Sequence, residues 1–344
     1  MEFSSFKSHS RFLDPRRNFE QSEVPSEIRV DPITQRTSRI CHFNLPGIPP
    51  FNWESLKDPA KKGFCPFCPD TIESVTPKFP PDVIPEGRLF EGEATLMPNL
   101  MPYDEHSAVC VLTKAHVVPI EELISSTMKS GFLLCQRYLK AVRNAPPTQE
   151  PLYGTLHMNF MPPSGGSLIH PHLQTFATRF PGNLHRLYLE KANEYARDGQ
   201  KNAFKDLIEA ERQNGTRYMG QLSKVHALTS FASFGLLGDI LFVAEDVRDW
   251  FEDGVSQLGY LATLVSRTLK FFADLNLLSF NLALFSGAPK DEGFTSFALL
   301  TPRLFIEPRF LAPDVSALRF LYDEPFSVVY PEDIAEKLKP YLKL

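Results

Sequence analysis

Apolar and polar positions alternate in short runs broken by proline and glycine, and sustained helical periods are few. Residues 89–97 and 107–113 read as strands; Ser107-Ala-Val-Cys-Val-Leu-Thr113 is apolar and rich in β-formers. From Pro119 to about Ala145 the period becomes helical. Glu121 and Glu122 fall in the first turn, with Leu123, Met128, Phe132 and Tyr138 inside. Residues 153–161 and 169–177 read as two further strands, flanking the small-residue loop Ser164-Gly165-Gly166-Ser167. A charged helical stretch spans 185–213. A second group follows, with strands at 225–234 and 239–244, a helix at about 248–275, and strands at 278–285 and 294–301. Pro331 to Leu338 opens a helix, with proline early and acids in its first turn.

The order strand, strand, helix, strand, strand thus occurs twice without a strict sequence repeat. It predicts an α+β fold built from a duplicated unit, with two antiparallel sheets flanked by helices. The expected division is a polar, partly ordered arm at 1–28, a first unit at 29–200 and a second at 201–344.

Composition narrows the class. The chain has 344 residues, 43% hydrophobic and 22% charged, enough to bury a sizeable core. A net charge of −5 and no basic stripe argue against a nucleic-acid or membrane-surface binder. No apolar run reaches the ~18 residues of a membrane span, and the polar start shows no secretory signal. Five cysteines, two of them in a Cys-x-x-Cys, suit a metal site in a reducing compartment, so a cytoplasmic protein is expected. Proline clusters such as Pro46-x-x-Pro49-Pro50 and Pro77-x-x-Pro80-Pro81 imply long irregular connections.

Two patterns carry chemistry. Cys65-Pro66-Phe67-Cys68 has metal-knuckle spacing, and two thiolates need two more ligands to close a zinc site. His42, His106, His116, His157, His170 and His172 are candidates. A set of Cys65, Cys68, His116 and His170 would make a closed, structural site tying the N-terminal segment to the strand after the glycine loop. A redox pair or an incidental pair is the alternative. The second pattern is His170-Pro171-His172-Leu173-Gln174. On a strand, His170, His172 and Gln174 would share one face, toward whatever the glycine loop holds. A neutral His172 could attack a phosphorus if its other ring nitrogen donates to a carbonyl. Gln174 could donate to the phosphate oxygens, with backbone N–H groups of Gly165, Gly166 and Ser167. Duller readings are a second pair of metal ligands, or one core and one exposed histidine. Cys110 and Cys135 fall in apolar patterns and read as core thiols, and adjacent Cys41 and His42 as poor joint ligands. His157 shares a strand face with Asn159. The Phe-rich stretches 271–285 and 304–320 read as core or dimer surface, and the charged run 190–213 as a solvated helix.

His-Pro-His-x-Gln after a Gly-x-Ser loop resembles the galactose-1-phosphate uridylyltransferase family of the histidine-triad superfamily. The similarity covers residues 29–180 best. It implies that Cys65, Cys68, His116 and His170 hold one structural zinc, that His172 is the nucleophile and that Gln174 binds phosphate. It also implies that Asn159 lies near the substrate phosphate. Asn99, in Pro98-Asn99-Leu100-Met101-Pro102, resembles the segment that contacts the nucleotide ribose, and Arg29-Val-Asp31-Pro32-Ile33-Thr34 a family N-terminal motif. The implied activity is transfer of a nucleoside monophosphate from a nucleotide sugar to a phosphate acceptor such as a hexose 1-phosphate, through a covalent nucleotidyl-histidine, in a homodimer. Related phosphorylases of nucleotide sugars and dinucleoside polyphosphates share the His-x-His-x-Gln core. A hydrolase and a catalytically silent nucleotide-binding protein are the other readings. Two departures bear on substrate. Leu100 follows Asn99 where the uridylyl enzymes carry an aspartate. Thr295 and Phe297 stand where the second half of the family often carries histidines, so any second metal or substrate role of that pair is lost. Accordingly, Thr295→Ala and Phe297→Leu are expected to leave bound metal per chain unchanged by elemental analysis; metal loss in either would put a ligand in the second half.

Overall fold

The computed structural model describes residues 1–42, 47–48, 50, 52–57, 63–144, 153–199, 202–304 and 316–343. Its strands and helices run in the order β1 (Ser5–Asp14), β2 (Glu20–Val30), β3 (Thr37–Ile40), α1 (Glu54–Lys57), α2 (Ile72–Val75), β4 (Leu89–Glu91), β5 (Ala94–Pro98), β6 (His106–Val111), α3 (Ser125–Asn144), β7 (Tyr153–Phe160) and β8 (His172–Thr178). Then come α4 (Asn183–Arg197), α5 (Ala203–Asn214), β9 (Tyr218–Leu222), β10 (Val225–Thr229), β11 (Ile240–Ala244), α6 (Val255–Asp274), β12 (Ser279–Phe285), β13 (Phe297–Arg303), α7 (Ala317–Leu321), β14 (Phe326–Ser327) and α8 (Pro331–Leu342). The fold is α+β, with the duplicated unit plain in its topology. One sheet runs β4-β5-β6-β8-β7-β12-β13-β11-β10-β9, so each half contributes a three-strand meander, a crossover helix and two swapped strands. The expected two sheets therefore merge edge to edge into one of ten strands.

The join is the antiparallel pair β7–β12, in which His157 faces Ala283 and Asn159 faces Asn281. Register fixes the equivalences between halves. Val111 pairs with His172 in the first half and Val243 with Phe297 in the second. Gln174 is matched in the same way by Leu299, since each pairs with one of the facing residues His157 and Ala283.

Alternation along the strands assigns the two faces of this sheet. On one, Leu96, Cys110, Leu156 and Leu173 in the first half, and Phe242, Leu282 and Leu300 in the second, form a single core with α3 and α6. The helices pack against each other across the join. On the opposite face the halves differ. In the second, α4 and α5 lie over Phe297, Leu299 and Val243 and bury Tyr188, Leu189, Phe204 and Leu207 there. The charged run 190–213 is thus not a solvated helix but two amphipathic ones with a buried stripe. Asn202 caps the second, accepting from the backbone N–H of Phe204 (3.0 Å) and Lys205 (3.1 Å).

Several local expectations change. Residues 5–28, expected as a partly ordered arm, form the β1–β2 hairpin of a second sheet, β1-β2-β3-β14. Its polarity reflects solvent on a paired ribbon: nine of the ten β1 residues are exposed. Leu89–Met97 splits into a hairpin at Gly92, which turns at φ 59°. Strand β9, not anticipated, closes the second meander. The helix expected from Pro119 begins at Ser125 after a 3₁₀ turn at Ile120–Glu122. Ala145, Pro46, Pro49 and positions 305–315 of the second Phe-rich stretch lie outside the described residues. Phe271, Phe272 and Phe280 are core, as are Cys110 and Cys135, whose thiol burial pushes up. The Arg29–Thr34 motif builds structure rather than the cleft. Arg29 pairs with Glu27 (2.7 Å) and Glu332 (2.9 Å), and the Asp31 carboxylate accepts from the backbone of Ile33 and Thr34. No described helix is long and apolar enough to cross a membrane.

Gly131 is where α3 comes closest to the sheet. A Cβ there would meet Leu112 Cδ2 at 2.3 Å and Leu173 Cδ1 at 2.8 Å. Gly131→Val is expected to cost about 1–3 kcal/mol by overpacking, read as a lower denaturation midpoint at unchanged slope.

Candidate active site and metal centre

The loop before α2 carries the two knuckle cysteines, and Thr71 ties it by donating to the carbonyls of Cys65 (2.6 Å) and Cys68 (3.0 Å). His116 follows β6 and His170 precedes β8, so chain neighbours of two paired strands meet the loop. The ligand atoms of Cys65, Cys68, His116 and His170 all lie within 4.8 Å of one another. Cys65 Sγ is 3.6 Å from His170 Nδ1, Cys68 Sγ is 3.4 Å from His116 Nδ1, and Cys68 Sγ is 3.7 Å from His170 Nδ1. Tetrahedral Zn–S and Zn–N bonds would set sulfur and nitrogen about 3.5 Å apart. His170 Nε2–H donates to the Thr113 carbonyl at 2.7 Å, which leaves Nδ1 as the ligand atom. The four residues therefore can hold a metal ion. Cys41 and His42 are not part of the group; His42 lies against Tyr330.

His172 opens β8 and is buried at 8% exposure. Its Nδ1–H donates to the His170 carbonyl at 2.8 Å, so Nε2 carries the lone pair. Burial pushes its pKa below the ordinary histidine value, against a smaller upward pull from that carbonyl, and the ring is neutral. Phe67, between the knuckle cysteines, packs on the His172 ring at 5.3 Å between centroids and on His170 at 6.2 Å. The cysteine–histidine group and His172 are thus braced by one loop.

A cleft of about 370 Å³ lies along this open face of β5, β6 and β8. His172, Gln174, Asn99 and Ser167 line it, with Phe67, Met101 and Tyr103 among the apolar walls. None of its lining residues is Lys, Arg, Asp or Glu among the described residues. Asn99 Oδ1 accepts from the Met101 backbone at 3.0 Å, which shapes the wall and leaves its amide NH2 for the cleft. Gln174 Oε1 accepts from His157 Nε2–H at 3.1 Å, which leaves the Gln174 NH2 as donor. His157 is itself neutral, its pKa pushed down to about 4 chiefly by burial.

Three sequence expectations need correction. His170 does not share the face of His172 and Gln174, because β8 starts only at His172 and His170 turns into the cysteine group. Gly165 and Gly166 do not line the cleft. Gly165 turns the loop at φ 90°, and a Cβ on Gly166 would meet the Asn159 carbonyl at 2.8 Å, so both let the chain double back on β7. Asn159 also stands off the lining, on β7 beyond His172. Its Oδ1 accepts from Asn281 Nδ2 at 2.6 Å. Asn281 in turn donates to the Ser164 carbonyl (3.0 Å) and accepts from Arg303 Nη1 (2.6 Å). Sequence reading missed Asn281 and Arg303. A lone asparagine on an apolar strand was the one signal, and nothing in chain order links it to residue 159.

No family model matches the chain. An uncharacterised protein of Archaeoglobus fulgidus is 30% identical over 314 residues, 91% of each chain. Among solved structures, an ADP-glucose phosphorylase of Arabidopsis thaliana with bound ADP-glucose superposes with a TM-score of 0.66 at 15% identity, over 91% of this chain and 98% of that one. A uridylyltransferase superposes at 0.63 and 18% identity, over 92% of this chain and 98% of that one. With the duplicated topology and the His172 site in place, the chain belongs to one family with the Archaeoglobus protein, and it shares the fold of the ADP-glucose phosphorylase and of the uridylyltransferase.

Proposed function

We propose that this protein transfers a nucleoside monophosphate from a nucleotide sugar to a phosphate-bearing acceptor such as a hexose 1-phosphate, through His172. The observation that carries the reading is the Nδ1–H bond to the His170 carbonyl beside an open cleft: it presents a neutral Nε2 lone pair and needs no separate base. Nε2 attacks the α-phosphorus, the P–N bond forms, and the bond to the departing sugar phosphate breaks with the electron pair leaving on its oxygen. An acceptor phosphate oxygen then attacks the same phosphorus and the P–N electrons return to Nε2. The Gln174 NH2, aimed by His157, donates to the α-phosphate oxygens as charge builds. Asn99 lies where the ribose would rest, and Ser167 beside the phosphates.

We infer that the ion of the Cys65, Cys68, His116 and His170 group is one structural zinc, on the strength of its donor set and spacing. Four protein ligands leave no open position for substrate. What that group gives the chemistry is the fixed Phe67 loop and the fixed His170 carbonyl.

On mixing with UDP-, ADP- and GDP-hexoses and a dinucleoside polyphosphate at neutral pH, intact mass should rise by one nucleoside monophosphate with the true donor, naming the base. His172→Asn should show no adduct and at least a ~10³-fold slower turnover with unchanged metal content. Discharge of the adduct by inorganic phosphate alone would make the enzyme a phosphorylase, and binding of donors with no adduct a silent nucleotide-binding protein. Cys65→Ser should lower zinc from about one per chain and lower the melting temperature; unchanged zinc by elemental analysis would remove the knuckle.

A further inference from the structure

The second half of the chain has lost its own histidine site, yet it reaches into the first. We propose that Arg303 and Asn281 are positioning residues that fix the side-chain amide of Asn159 behind His172 and the loop that delivers Ser167 to the cleft, an inference that rests on the nucleotidyl-transfer reading of His172.

The direction of the chain follows from its two ends. A guanidinium only donates, so Arg303 Nη1, 2.6 Å away, makes Asn281 Oδ1 an acceptor. A backbone carbonyl only accepts, so the Ser164 oxygen at 3.0 Å makes Asn281 Nδ2 a donor. Asn281 therefore has one orientation, and its Nδ2 meets Asn159 Oδ1 at 2.6 Å. Asn159 must then turn its own NH2 away from β12. The β7–β8 ladder ends at the pair His157 and Gln174, and Asn159 follows two residues beyond it on β7 as His172 precedes Gln174 by two on β8. The NH2 of Asn159 and the NH2 of Gln174 are thus both freed as donors, one by Asn281 and one by His157, on the strands that flank and carry the nucleophile.

The need for this is electrostatic. No cationic side chain lines the cleft among the described residues, while the substrate brings a diphosphate. Arg303 stands behind the site, and two aligned amides convey its polarity forward. Asn281 also pins the Ser164 carbonyl, which fixes the loop that delivers Ser167 to the cleft. Cα pairing of Asn159 with Asn281 at the join of the two halves makes this a route by which the second unit reaches the site of the first.

Asn281→Asp separates this role from simple support. The carboxylate keeps and strengthens the tie to Arg303 but has no N–H, so Asn159 must turn its NH2 toward residue 281 and its oxygen the other way. We expect nucleotidylation of His172 to slow by about 10–100-fold, mostly in kcat rather than KM, with metal content and fold retained. Arg303→Met should behave alike, and Arg303→Lys, still a donor, should recover most of the rate. Full activity in Asn281→Asp would overturn the proposal, and so would equal loss in Arg303→Lys and Arg303→Met. A readout without activity uses ¹⁵N-asparagine-labelled protein: the Asn281 side-chain NH2 should exchange slowly and that of Asn159 fast. Reversed protection would overturn the orientation whatever the reaction proves to be, whereas absence of any wild-type adduct would strike the functional reading alone.

Discussion

The antiparallel pairing of β7 with β12 is the constraint on which the rest of the molecule depends. An edge strand left unpaired exposes a row of backbone donors and acceptors. Each unit ends its sheet on such a strand, and joining the two satisfies both. The pairing produces one ten-stranded sheet, lets α3 and α6 pack as neighbours over one core, and sets Asn159 beside Asn281. The His172 side of the first unit and the Asn281–Arg303 pair of the second approach each other along this seam.

The first unit places its reactive group by a short chain of fixed contacts. The two knuckle cysteines and two histidines gather at the ends of β6 and β8 and fix a loop. Phe67 of that loop rests on His172, and the carbonyl of the ligand residue His170 takes the Nδ1 proton of His172. An ion held by these four residues would therefore fix the loop and the carbonyl that orient the His172 ring. Burial disfavours the imidazolium, which favours the neutral ring that the proposed attack requires.

Duplicated units diverged by covering one face. Where the first unit keeps the face of His172 and Gln174 open, the second has Phe297 and Leu299 at the matched positions. There α4 and α5 close over the strands, and Phe297 stacks on Phe285 at 4.5 Å and on Phe204 at 5.3 Å. A histidine in that interior would have cost its desolvation with no ligand in return. The second unit buries under α4 and α5 the positions that the first leaves facing a cleft.

The chain by itself determined the alternation of strands and helices, the repeat of their order, the knuckle spacing and the His-Pro-His-Leu-Gln segment, because these depend on neighbours within a few residues. Periodicity found α3, α6 and the strands on either side of each, though both helices begin roughly two turns later than the period implied, and the two cysteines and two histidines of the metal group were named from spacing and resemblance. Tertiary structure decided what spacing cannot. His170 left the face of His172 because the strand began two residues later than alternation implied. The polar start became a hairpin because pairing, not apolarity, stabilises an exposed ribbon. The charged run became the cover of the second unit, since a buried stripe on a charged helix is fixed by what it lies on. Asn281 is marked in the chain only as a lone asparagine on an apolar strand, and nothing local ties it to Asn159: a hydrogen bond between residues 122 apart in the chain exists only once two sheet edges have met.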